Sequence, residues 1–284
     1  MQIQTITVLG SGTMGRGIAY VAARAGFDTT VNDVADEMLV AAREAVAALF
    51  AQAIDRGKTD RDTAEQAFER IRWFTDLEAA SREANLIIEA VPEDEDLKKE
   101  LLSQVDIFCS EETILASNTS SISITSLAGS VERREKFVGL HFFNPVHAMK
   151  LLEIVRGERT SDATVETCRE LAVRLGKEPI VVKDTPGFAT SRLGLAIGLE
   201  AIRMLEDGVA SAADIDRAME LGYNHPMGPL RLTDLVGLDV RLGIAEYLAS
   251  AIGPRFDPPA LLRKMVEEGK LGRKTGQGFY SWER

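Results

Sequence analysis

Cysteine is scarce: the chain of 284 residues has two, Cys109 and Cys168. Their spacing fits neither a metal motif nor a disulfide framework, so both read as plain thiols of a reducing compartment. Positive charge is also in short supply. Lys and Arg number 33 against 44 Asp and Glu, and the formal net charge of -11 repels nucleic acid phosphates and anionic lipid. Neither nucleic acid nor a membrane surface is expected as a partner, whereas an anionic small molecule stays open. The three histidines are too dispersed for a zinc site, so no metal is expected. No uncharged apolar run reaches membrane-spanning length, and "IQTITVLG" enters a strand pattern at once, without a basic segment followed by an apolar one. The expectation is a cytoplasmic protein.

What is present suits a folded chain of two domains: hydrophobic residues make up 45% and charged residues 27%. In "ITVLGSGTMGRGIAYVAARAGFDTTVND" a β-branched run meets glycines and then a helical pattern. Gly10, Gly12 and Gly15 fit G-x-G-x-x-G, with Ser11, Thr13 and Met14 between them. That spacing supplies a tight turn, close backbone approach to a pyrophosphate, and helix-on-strand packing, and the helix N-terminus then faces the phosphates. Glycine turns also arise for backbone reasons alone. The context strengthens the dinucleotide reading, because Asp33 lies 18 positions after Gly15, where a carboxylate holds the adenosine ribose hydroxyls. Val34 and Ala35 follow it rather than Arg or Lys, and a carboxylate there repels a 2'-phosphate, so NAD is expected over NADP.

Residues 36–70 read as an inserted helical hairpin interrupted at "DRGKTD", with Arg56, Lys58 and Arg61 at its tip. The cluster suits a phosphate or a solvated turn equally. "IRWF" and "NLIIEAVP" read as further strands, the second placing Ala90, Val91 and Glu93 where a cofactor passes in an open parallel sheet. On the next helix Lys98 either reaches a ribose or the nicotinamide side, or is a surface charge paired with Asp94. "TILASN" is another strand, and the hydroxyl-rich run after it either caps a helix near Ile122 to Leu127 or donates to a substrate carbonyl. "KFVGLHFF" and "MKLLEIV" are strands that carry His141 and Glu153. An imidazole and a carboxylate in apolar surroundings are costly unless they partner each other, and adjacent strands would bring them together. Such a pair is the form a general base takes, although a lone buried histidine is more often a satisfied core residue. His147 and His225 have less to recommend them. From Thr185 the pattern is helical only, giving domains 1–184 and 185–284 with Pro186 and Gly187 as a plausible hinge.

Together "VLGSGTMGRGIA", "SNTSSI", "GLHFFNPV", "DTPGF", "NHPMGPL" and "GRKTGQGFY" resemble the L-3-hydroxyacyl-CoA dehydrogenase family, in particular its bacterial 3-hydroxybutyryl-CoA members, over almost the whole chain. The resemblance implies an α/β fold, with a Rossmann-type domain carrying the inserted hairpin and then an all-α domain. It implies interconversion of a (3S)-3-hydroxyacyl-CoA and the 3-oxoacyl-CoA with NAD. By that similarity His141 is the base and Glu153 orients it. Ser120 hydrogen-bonds the substrate oxygen, with Ser117 and Ser121 not excluded by chemistry alone. Asn144 contacts cofactor and substrate, while Ala90, Val91, Glu93, Lys98, Asn118 and Lys274 are cofactor contacts. Arg56, with Lys58, meets the coenzyme A phosphates. Ser191 stands where the family usually has an asparagine that assists the substrate carbonyl, and a shorter hydroxyl is expected to keep a weaker or water-mediated version of that role. The family's dimers form through the second domain, so a homodimer is expected. Two alternatives are a sugar-acid dehydrogenase of the lambda-crystallin type, which acts on free L-gulonate, and a non-enzymatic NADH-binding protein. "HFFNPV" argues against the first, and the presence of His141, Glu153 and Ser120 against the second.

Overall fold

A computed structural model describes residues 3–283, in two compact units, 1–184 and 185–284. In the first, β1 (Thr5–Leu9), α1 (Thr13–Arg24) and β2 (Asp28–Asn32) form the opening βαβ turn. The hairpin follows as α2 (Asp36–Asp55) and α3 (Arg61–Glu69), and then β3 (Ile71–Phe74), α4 (Leu77–Ser81), β4 (Leu86–Glu89), α5 (Glu95–Phe108), β5 (Ile114–Ser117) and α6 (Ile124–Ala128). The unit closes with β6 (Phe137–Phe142), β7 (Leu151–Arg156), α7 (Asp162–Arg174) and β8 (Glu178–Lys183).

All eight strands share one sheet in the order β3-β2-β1-β4-β5-β6-β7-β8. Every neighbouring pair is parallel except β6 and β7. Helices cover both faces of such a sheet, so its central strands read as continuous apolar runs; β4 and β6 are buried along their whole length. Local sequence sets the ends of several helices. Asp60 caps α3 by accepting from the Thr63 N–H at 2.8 Å, and Ser123 caps α6 by accepting from the Ser126 N–H at 3.1 Å. The hairpin docks on α1 through Tyr20 and Phe50, whose ring centroids are 4.6 Å apart.

In the second unit α8 (Thr190–Glu206), α9 (Ala212–Tyr223), α10 (Pro229–Val236), α11 (Leu238–Ile252) and α12 (Ala260–Glu267) enclose a core of Leu195, Leu199, Ile202, Leu230, Leu248 and Leu262. It is not purely helical. Gly272 and Gln277, and Gln277 and Ser281, form isolated antiparallel bridges, because the carboxylate of Asp234 accepts from the Phe279 and Tyr280 N–H groups and the Trp282 indole and folds the tail back.

Candidate active site

Strand ends build the site. Residues at or just past the C-terminal ends of β4, β5 and β6, with Met14 at the start of α1 and Lys98 on α5, surround a cavity of about 370 Å³. Its walls bring together Ala90, Val91, Glu93 and Lys98, then Asn118 and Ser120, then His141 and Asn144. In an open α/β sheet the crevice beyond the strand ends, where the order reverses on either side of β1, is where a dinucleotide lies. The glycine loop that opens this crevice suits the task. Gly10 has φ +92 and a Cβ there would lie 2.9 Å from the Ala90 carbonyl, while one on Gly15 would sit 1.8 Å from the Gly10 carbonyl. Side chains at these two positions would push helix and strand apart, whereas the Gly12 Cα faces open space. Asp33 folds back on this loop, its Oδ2 accepting from the Ser11 N–H at 2.8 Å and hydroxyl at 2.6 Å. The residues fit a dinucleotide.

On the far side of the cavity, His141 and Glu153 stand directly opposite each other in the antiparallel β6–β7 pair. The His141 Nδ1–H donates to Glu153 Oε2 at 2.7 Å, with the carboxylate wholly buried and the imidazole nearly so. That bond fixes the tautomer and turns Nε2 into the role of proton acceptor. The Phe143 ring packs on the imidazole at 4.3 Å between centroids, and Asn118 ties β5 to β6 by accepting from the Phe142 N–H at 3.0 Å. The Phe143 ring had no signal in the sequence beyond its nearness to His141.

The surface-charge reading of Lys98 is wrong. Its side chain is 1% exposed and its Nζ donates to Glu89 Oε1 at 2.6 Å and to the Val91 carbonyl at 3.1 Å, with Glu93 Oε2 at 3.3 Å. Asp94 instead caps α5, accepting from the Leu97 N–H at 2.9 Å. Burial would raise the Glu93 carboxyl, but the Thr119 hydroxyl, the Lys98 ammonium, the Ser120 N–H and the Ser121 hydroxyl outweigh it and hold it below the ordinary carboxylate range. Glu93 Oε1 thereby organises the serine loop, accepting from the Thr119 hydroxyl at 2.6 Å and from the Ser120 and Ser121 N–H groups at 2.9 and 3.1 Å. Ser117 points inward to Glu89 at 2.5 Å, so among the serines weighed it is Ser120 that lines the cavity.

Residues 5–185 match the model of the 3-hydroxyacyl-CoA dehydrogenase NAD binding domain, and residues 187–282 match that of the 3-hydroxyacyl-CoA dehydrogenase C-terminal domain. The chain belongs to the 3-hydroxyacyl-CoA dehydrogenase family. Its cofactor is NAD, and the fold expected from the six motifs is the one observed. Among relatives, a probable 3-hydroxybutyryl-CoA dehydrogenase of Deinococcus radiodurans is 44% identical, covering 97% of this chain and 99% of its own length. A probable 3-hydroxybutyryl-CoA dehydrogenase of Bacillus subtilis is 42% identical over 100% of this chain and 99% of its own. The crystal structure of (S)-3-hydroxybutyryl-CoA dehydrogenase from Ralstonia eutropha superposes with a TM-score of 0.96 at 41% identity, each chain covered fully.

Other members of the expected site lie elsewhere. Arg56 and Lys58 line a separate small recess with Tyr20, Arg24 and His147. Beyond His147 it adjoins a second recess of about 260 Å³ bordered by Arg24, Lys150, Arg174 and Lys177. Partial burial, and then the charges of Lys58, Arg56, Lys177 and Arg24, push the His147 imidazole below its ordinary value. This is a local basic patch on an acidic protein. Lys177, scarcely exposed, also holds the loop after β6 by donating to the Val146 and Met149 carbonyls. Arg61 is a solvated partner of Glu65, 3.8 Å away on the next helical turn.

Ser191 and Lys274 belong to the second unit. Ser191 is the second residue of α8, and Lys274 Nζ donates to Asp239 Oδ2 at 2.6 Å. Among the described residues no group of three or more His, Cys, Asp or Glu is placed to hold a metal ion, and no helix is long and apolar enough to cross a membrane. Both cysteines are buried free thiols, with burial the main cause that raises Cys109 and pushes Cys168 up to about 12.

Proposed function

We propose that this protein oxidises (3S)-3-hydroxyacyl-CoA to 3-oxoacyl-CoA with NAD and catalyses the reverse with NADH, with 3-hydroxybutyryl-CoA, the substrate in its relatives' names, as the substrate. The observation that carries the reading is the buried His141–Glu153 pair at 2.7 Å, in the wall of a cavity that also holds Ser120 and Asn144. Gly10, Ser11, Gly12, Thr13, Met14 and Gly15 would cradle the cofactor's pyrophosphate, and Asp33 its adenosine ribose. Ala90, Val91, Glu93, Lys98, Asn118 and Asn144 would position the nicotinamide half, and Lys274 would add a further cofactor contact.

When bound, NAD supplies the acceptor for the hydride that leaves C3. Everything else falls to side chains. Ser120 holds the substrate's C3 oxygen by a hydrogen bond, and His141 Nε2 takes the hydroxyl proton as the C3–H bond breaks and the C–O bond becomes a carbonyl. Glu153 stabilises the imidazolium so formed, and in reduction the same proton returns to the oxygen. Ser191 assists that oxygen more weakly than an asparagine would. The phosphates of coenzyme A fit the basic recess of Arg56 and Lys58, where an acidic protein has gathered local positive charge.

The second unit carries an apolar recess of about 450 Å³ lined by Ile197, Met204, Met219, Tyr223 and Pro229, with Tyr223 75% and Leu221 66% exposed. Such a surface supports a homodimer formed through this unit. Unpaired buried cysteines support a cytoplasmic location. The test is NADH absorbance with acetoacetyl-CoA, run beside NADPH and beside His141→Ala. Loss of absorbance with NADH alone, abolished by the substitution, is the expected result; no loss with acetoacetyl-CoA or any longer 3-oxoacyl-CoA refutes the reading.

A further inference from the structure

Glu89 takes no part in the chemistry above, yet it is a wholly buried carboxylate at the end of β4, one layer behind the cavity. Both its oxygens are engaged. Oε1 accepts from Lys98 Nζ at 2.6 Å and from the Val91 N–H at 2.7 Å, and Oε2 from the Ser117 hydroxyl at 2.5 Å. One side chain therefore fastens α5, the turn after β4 and the end of β5. Lys98 passes the connection to Glu93 at 3.3 Å, and Glu93 to the serine loop that carries Ser120.

The cluster has two carboxyl groups and one amine, a net charge of -1 when Glu93 is ionised. Ion-paired with both glutamates, the Lys98 ammonium offsets one of the two carboxylate charges. Of the cofactor's two oxidation states, the oxidised nicotinamide ring is a cation and the reduced ring is neutral. A buried negative charge behind the wall of that cavity favours the cation, and low polarisability around it lets the effect persist over several ångströms.

We propose that Glu89 is a positioning residue whose buried cluster with Lys98 and Glu93 sets the relative affinity of the site for NAD+ over NADH. The proposal rests on the placement of the nicotinamide half beyond β4 and β5 given above, and it concerns cofactor binding without acyl-CoA.

The experiment measures dissociation constants of the intact protein, NADH by its fluorescence and NAD+ by calorimetry, for wild type and Glu89→Gln. The variant keeps the side chain's shape and removes its charge. NAD+ should weaken about fivefold more than NADH. Equal factors for the two would mean that Glu89 only supports the fold, and a larger loss for NADH would reverse the sign; either overturns the proposal. Lys98→Met carries the charge the other way and should move the ratio toward NAD+, so it decides the matter if Glu89→Gln does not fold, and an unmoved ratio there is equally fatal. A shifted ratio in a protein that turns over no acyl-CoA would leave this inference standing while the proposed reaction fell.

Discussion

The two halves of the sheet meet the cofactor and the substrate by different means. From β3 through β5 the strands are parallel, and the polar groups that line the cavity lie in loops just beyond the strand ends: Glu93, Asn118, Ser120. At β6 and β7 the direction reverses and the polar groups are inside the strands, with His141 opposite Glu153. Loop groups lie near backbone N–H groups and solvent, whereas the imidazole and carboxylate bonded across β6 and β7 are buried, so the loss of either removes a charge-assisted hydrogen bond from a low-dielectric setting. A loop site can therefore be tuned residue by residue, and a strand site works as a pair.

The largest way to break this contrast is His141→Ala, which should lower kcat/KM for acetoacetyl-CoA by about a thousandfold while leaving NADH affinity within about twofold. Glu153→Gln should cost about a hundredfold, and the double variant little more than His141→Ala, as befits groups that act as a unit. Additive losses would mean the two act separately. Next comes Gly15→Ala in the parallel half. A Cβ 1.8 Å from the Gly10 carbonyl should cost about 3 kcal/mol in denaturant unfolding and abolish tight NADH binding.

Asp33→Asn should weaken NADH by about tenfold and narrow its advantage over NADPH, since it loses charge-assisted hydrogen bonds and the repulsion of a 2'-phosphate together. An unchanged NADH to NADPH ratio would remove Asp33 from that role. At Ser191, replacement by Ala should lower kcat/KM by about threefold and replacement by Asn raise it; if both stay within about twofold of wild type, the position is outside the site.

The smallest effect concerns His147. Its folded pKa lies below its unfolded value near 6.5, so the unfolded chain binds the proton more readily and stability declines as pH falls from about 6.5 toward the folded pKa. His147→Gln should flatten that acid-side slope by less than about 1 kcal/mol, measured as urea midpoints between about pH 5 and pH 8. A steeper slope in the variant would contradict the assignment.

How much of this was legible in the chain depends on how far each feature reaches. The glycine loop, Asp33 and the hairpin were readable because backbone sterics and helical periodicity act over a few neighbours. Of the two readings of Lys98 the surface pairing failed, because spacing on a helix offers Asp94 as a partner while the fold delivers Glu89 from β4. Helix α7 and strand β8 went unread between "MKLLEIV" and "DTPGF", although Ser161 caps α7 by accepting from the Thr164 N–H at 3.1 Å. As an edge strand, β8 lacks the continuous apolar run of its buried neighbours.

By itself the sequence determined the cofactor loop, the change from a strand-and-helix pattern to a helical one near Thr185, and the family its motifs share. Local stereochemistry and composition suffice for these. Only the tertiary structure decided that His141 faces Glu153 and that Lys98 is buried between two glutamates. Strand register is set by packing across the whole sheet, and a slip of a single residue would have turned Glu153 to the opposite face.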